Sequence, residues 1–155
     1  MTATYAQHTH HAASLDSIRV ADAMHRGVIT CRPDTSLHTV ARIMAAHRIH
    51  AVVVAPGPDW EEWGLVSDLD LAGAAVDGLL DVVAAGRVVS TPNVFVRPDD
   101  MLARVAQLMR DYGTHHLVVL DRRWNRPIGI VSTLDLADAL AELPQVPNSD
   151  SGGST

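Results

Sequence analysis

Residues 64–72 read GLVSDLDLA and residues 129–137 read GIVSTLDLA. Each sets an apolar run against a serine, Ser67 or Ser132, and an aspartate three positions on, Asp70 or Asp135. A hydroxyl N-cap with a carboxylate one turn into a helix satisfies free backbone N–H groups and suits the helix dipole. A single such stretch therefore reads as a helix start. Here it occurs twice, at a spacing of 129 − 64 = 65 residues. The same offset carries Arg32-Pro33-Asp34 to Arg97-Pro98-Asp99, Val40 to Val105, Met44 to Met109 and His50 to His115. Residues 33–72 and 98–137 share 16 identities in 40 gapless positions, so the chain is an internal duplication.

Both copies carry one sequence of elements. Val28-Ile29-Thr30 and Val94-Phe95-Val96 are short β-type runs before an Arg-Pro-Asp turn. Leu37, Val40, Ala41 and Met44 follow at i, i+3, i+4 and i+7, one face of a helix, and Leu102, Val105, Ala106 and Met109 repeat it. AVVVA (51–55) and LVVL (117–120) are continuous apolar runs that suit buried strands. GLVS and GIVS supply a third strand, and helices rich in Leu and Ala close each unit. The order is β-α-β-β-α, twice, in an α/β (α+β) fold. Residues 16–80 form the first expected unit and residues 81–143 the second. A unit of roughly 60 residues buries too little alone, so the two are expected to pack sheet to sheet with pseudo-twofold symmetry.

The ends read differently. Residues 1–14 lack periodicity, and residues 144–155, PQVPNSDSGGST, are rich in Pro, Ser and Gly. Both are expected to be disordered tails. His8, His10 and His11 in the first read as a solvated tail, with metal capture as the alternative.

Bulk composition narrows the function. At 155 residues and 47% hydrophobic content the chain suits one globular domain or two small halves sharing a core. A net charge of −6 argues against a nucleic-acid partner, which needs a basic face. All 12 basic residues are arginine. The single cysteine, Cys31, excludes an internal disulfide and a thiolate-rich zinc site, and fits a reducing cytoplasm. The most apolar long stretch, residues 69–85, is interrupted by Asp70, Asp77 and Asp81, so no membrane span is expected.

No catalytic constellation is visible. Ser67 and Ser132 lie in no Gly-x-Ser-x-Gly turn, there is no phosphate-binding Gly-x-x-x-x-Gly-Lys loop, and no helix pairs histidines at metal-ligand spacing. An enzyme is not expected. A strand running into a helix N-terminus offers donors to a phosphate, and an aspartate one turn in can accept the two hydroxyls of a ribose. Capping and ligand binding use the same groups, and both readings stand.

The tandem β-α-β-β-α order, each copy ending in Gly-h-h-Ser-x-x-Asp-h (h apolar), resembles a pair of CBS domains, a Bateman module, over residues 16–143. The resemblance implies two clefts that take adenosine compounds such as AMP, ADP, ATP or S-adenosylmethionine. No other cofactor is implied. Carried over by position, Asp70 and Asp135 would hold ribose hydroxyls, and Ser67 and Ser132, with Thr133 beside the latter, would lie toward phosphates. Val28-Ile29 and Val94-Phe95 would line the base pocket. Ile49-His50-Ala51 and Thr114-His115-His116 would flank the base and reach phosphates, the histidines gaining charge beside an anion. Many family members have proline where this chain has Val53 and Val118. The resemblance also implies a stand-alone regulatory homodimer that signals to a separate enzyme or transporter. A ligand-free dimerisation or docking module is the alternative, and a metal-binding stress protein a third.

The copies are not equal. Ala51 stands where the second unit has His116, and Asp68 where it has Thr133. The first unit's cleft is therefore expected to suit an anion less well. Trp60, Glu61, Glu62 and Trp63 have no counterpart, and the tryptophans either cover the core edge or present a partner surface. Leu71, Leu79, Leu136 and Leu140 are expected near the rim, where a second copy would cover them.

Overall fold

The structure, a computed structural model, describes residues 14–57, 63–89 and 94–145. Residues 1–13 and 146–155, and with them almost all of both expected tails, lie outside the described residues, as do Trp60, Glu61 and Glu62. A 3-10 turn, Leu15–Ser17, leads into α1 (Val20–Ala23) and β1 (His25–Arg26). The first unit follows as β2 (Thr30–Cys31), α2 (Leu37–His47), β3 (Ala51–Val54), β4 (Gly64–Ser67) and α3 (Asp68–Val76). The second is β5 (Phe95–Val96), α4 (Leu102–Tyr112), β6 (His116–Leu120), β7 (Pro127–Ser132) and α5 (Thr133–Glu142). The duplicated β-α-β-β-α order is thus realised in both halves.

The helical faces read from periodicity are the buried ones. Leu37, Val40 and Met44 of α2 and Leu102, Val105 and Met109 of α4 point into the two cores. First strands are shorter than their apolar runs. Parallel pairing with β3 starts at Thr30, opposite Val53, so Val28 and Ile29 precede β2. The Ile29 carbonyl still accepts from Val53 N–H at 3.0 Å.

Two sheets form, ordered β2-β3-β4 and β1-β7-β6-β5. They meet through Val53, Val118 and Leu120, with Val28, Leu65 and Ile130 packed around them. Val53 and Val118, the departures from the family's proline, are thus the facing residues of the sheet-to-sheet contact. Trp63 packs against this cluster, which accords with a core-covering role.

The halves exchange their leading segments. Val20 and Met24 join the core of the second unit, and β1 pairs antiparallel with β7, His25 opposite Ile130 and Arg26 opposite Gly129. Reciprocally, Val83, Ala85, Val88 and Val89 pack into the core of the first. Isolated bridges Arg19–Met101 and Ser36–Ala84 mark the two crossings, and both their members are related by the 65-residue offset. Each half-sheet is too small to cover its own helices, and borrowing a segment enlarges both cores.

The rim differs from expectation. Leu136 is buried on the inner face of α5, and Leu71 of α3 and Leu79 in the turn after it pack, partly buried, against the first core. Leu140 is exposed as expected, and Leu69, Val76 and Leu134 are exposed with it.

Candidate ligand-binding clefts

Both Ser-x-x-Asp motifs start helices. Asp70 Oδ2 accepts from Ser67 N–H at 2.7 Å and Ser67 Oγ at 2.9 Å, while Ser67 Oγ faces Asp70 N–H at 3.3 Å. Ser132 and Asp135 repeat this at 2.7, 2.9 and 3.4 Å. These are complete capping boxes, so the structural reading of the motif holds at both helix starts. Asp135 is only 5% exposed, and its other oxygen, Oδ1, lies 3.1 Å from His25 Nδ1.

Two clefts open at these helix starts. The larger, about 670 Å³, sets Ser132, Thr133 and Asp135 against Val28, Ile29 and Ile49. The smaller, about 150 Å³, sets Ser67 and Asp70 against Val94, Thr114 and Tyr112. Each is composite: the helix start of one unit faces the strand start of the other. This changes the grounds for the expected inequality of the clefts. Ala51 lines the larger cleft, opposite Asp135, not the cleft of its own unit's Asp70. Asp68 borders both. The two substitutions thus do not combine to weaken one cleft, because sheet-to-sheet packing crosses the units.

Phe95 also departs from expectation. It lines neither cleft, and its ring lies 5.1 Å from the Arg97 guanidinium. The short strand turns Phe95 outward and Val96 inward.

Histidines divide the clefts. The rings of His50 and His116 stack with centroids 6.4 Å apart and planes 19° apart. Asp68 Oδ2 lies 2.9 Å from His50 Nδ1. His115 and His116 border both clefts. Burial pushes the His116 imidazole below its usual range, against the pull of Asp68 and together with the repulsion of His50 and His115. Burial thus favours the neutral imidazole. Its Nδ1 is buried without a hydrogen-bond partner. Thr114 Oγ1 donates to the His116 carbonyl at 3.0 Å, fixing the start of β6.

Every other candidate ligand-binding residue lines one of the clefts, and three more belong there. His25, Arg26 and Arg48 line the larger one. For Arg48 a signal existed, since the offset places it on Gly113. For His25 and Arg26 none did, because they arrive through the exchanged strand. Among the described residues, no group of three or more His, Cys, Asp or Glu is arranged to hold a metal, and no helix is long and apolar enough to cross a membrane.

Paired half-sheets with two composite clefts at capped helix starts define a tandem β-α-β-β-α module. The CBS domain family model matches residues 20–77 and 85–142, and the chain belongs to that family. A protein of Methanopyrus kandleri without assigned function is 30% identical over 122 residues, 77% of this chain and 61% of that protein. The match thus spans less than two thirds of that relative. The fold is similar to the CBS domain pair of protein MJ0100 in complex with 5′-methylthioadenosine and S-adenosyl-L-methionine, with TM-score 0.71 and 20% identity over 80% of this chain and 96% of that one. It is also similar to the CBS domain protein PAE2072 from Pyrobaculum aerophilum complexed with AMP, with TM-score 0.68 and 24% identity over 80% and 97%.

Proposed function

We propose that this CBS pair binds an adenosine compound in the larger cleft and relays its occupancy to a separate enzyme or transporter, without catalysis of its own. The observation that carries the reading is the pairing, across about 670 Å³, of the Ser132-Thr133-Asp135 helix start with the apolar Val28, Ile29 and Ile49. That pairing joins a polar end for ribose and phosphate to an apolar slot for a base. Solved relatives complexed with AMP, S-adenosyl-L-methionine and 5′-methylthioadenosine support the choice of ligand class. Ser67 and Asp70, with Val94 and Thr114, offer the same chemistry in a smaller space. His116 lines both clefts, with its Nδ1 buried in the wall and unpartnered.

Ligand bound between units stabilises one relative tilt of the two, and a partner senses that tilt. The working form is a homodimer, supported by exposed Leu69 and Leu134 at equivalent places on α3 and α5. A lone, buried Cys31 accords with a cytoplasmic setting.

Calorimetry against AMP, ADP, ATP, S-adenosylmethionine and NADH tests the reading. Saturable binding of at least one adenosine compound is expected, and absence of heat with all of them would sink it. One observation favours a second reading, a ligand-free docking module: both oxygens of Asp135 already have partners in Ser132 and His25.

A further inference from the structure

Arg48 closes α2 in the left-handed backbone region, at φ 52 and ψ 46. Its counterpart 65 residues on is Gly113, which closes α4 at φ 61 and ψ 33. Glycine adopts this conformation freely, whereas a residue with a Cβ is strained there. The duplicated unit therefore has an unstrained solution at this place, and the first copy does not use it. Both residues border a cleft, Arg48 the larger and Gly113 the smaller. Strain kept at a cleft wall calls for a compensating role.

The surroundings indicate what that role is. Each carboxylate of the larger cleft is already engaged, Asp135 by Ser132 and His25, and Asp68 by His50. Arg26 reaches the Ala21 carbonyl at 3.5 Å. The Arg48 guanidinium is exposed and makes no hydrogen bond or ion pair among the described residues. It is a full positive charge beside a cleft whose carboxylates already have side-chain partners. Among the described residues no arginine lines the smaller cleft, where Asp68 and Asp70 do.

We propose that Arg48 is a specificity-determining residue, selecting a phosphate-bearing adenosine nucleotide for the larger cleft over a nucleoside or a sulfonium such as S-adenosylmethionine. The inference rests on the proposed function of that cleft and narrows its ligand. A guanidinium forks onto two phosphate oxygens in a geometry that a hydroxyl or sulfonium group does not offer. Arg48 precedes Ile49 and His50 at the approach to β3 and lines the same cleft as Ser132 and Thr133.

The experiment is calorimetry of wild type and Arg48→Gly with adenosine, AMP and ATP, beside a thermal melt of each protein. Arg48→Gly installs the residue the second unit already uses, so the melting temperature is expected to hold or rise. AMP and ATP affinity should fall about 10-fold or more, while adenosine affinity stays within about twofold. Unchanged AMP affinity, or an equal loss for adenosine and AMP, would overturn the role of Arg48 and leave nucleotide binding standing. Wild type that binds none of the three would overturn this inference, and the functional reading falls with it only when S-adenosylmethionine, ADP and NADH give no heat either.

Discussion

His25 Nδ1 lies 3.1 Å from Oδ1 of Asp135, tying the first strand of the chain to the last helix. The histidine side chain is 77% exposed and the carboxylate 4%. A surface residue from the exchanged N-terminal segment thus completes the shell of the most buried acid at either cleft. Oδ2 of the carboxylate holds the helix start, and Oδ1 faces His25.

Replacing Asp135 by Ala removes the capping box and the His25 contact together. The expected loss is about 1–2 kcal/mol of stability, the cost of an N-cap. If the carboxylate also holds ribose, nucleotide affinity falls roughly 10- to 100-fold, one to two steps of about 1.4 kcal/mol. Asp70→Ala, in the smaller cleft, should affect affinity less. Denaturant melts and calorimetry separate the two effects, and a stability loss with unchanged affinity would leave the motif as a cap alone.

Burial holds His116 below its ordinary titration range. The folded state then binds this proton less readily than the unfolded chain does. The stability this neutral histidine contributes is present above about pH 6.5, its unfolded value, and is lost as pH falls through the lower folded value. Melting temperature should therefore drop more steeply from pH 7.5 to 5 in wild type than in His116→Gln. Parallel pH profiles for the two proteins would contradict this assignment.

Glycines test the exchanged strand. A Cβ at Gly129 would collide with the His25 carbonyl oxygen, so Gly129→Ala must push β1 away from β7. The expected cost is about 1–3 kcal/mol, with faster amide exchange at Gly27, whose N–H donates to Ile128. Gly73, inside α3, has nothing within 4 Å of an added Cβ. Gly73→Ala should stabilise by about 0.5–1 kcal/mol through helix propensity. Equal responses from the two variants would contradict the close approach of β1.

Leu69 and Leu134, 61% and 60% exposed, occupy equivalent positions in the first turns of α3 and α5. Light scattering at micromolar concentration should give a mass near 33 kDa, twice the 16.7 kDa chain. Leu69→Asp with Leu134→Asp should shift it toward 16.7 kDa without unfolding the chain, because neither side chain belongs to a core. A wild-type monomer would remove the dimer from the proposal.

Periodicity, turn chemistry and the 65-residue offset were enough to read the duplication, the β-α-β-β-α order, the inner faces of α2 and α4, and the two Ser-x-x-Asp helix starts. Those features are written in spans of ten or so residues, where side-chain spacing and capping groups act on their own neighbours. The tertiary structure alone decided which residues share a cleft. It brought Val28 and Ile49 to Asp135 rather than to Asp70, carried His25 onto the second unit, turned Phe95 outward, buried Leu136 and packed Leu71 and Leu79 against the first core. These placements depend on how two half-sheets, each too small to close its own core, exchange segments and pack face to face. Contacts between residues a hundred positions apart follow from that packing, and no local pattern of the chain encodes them.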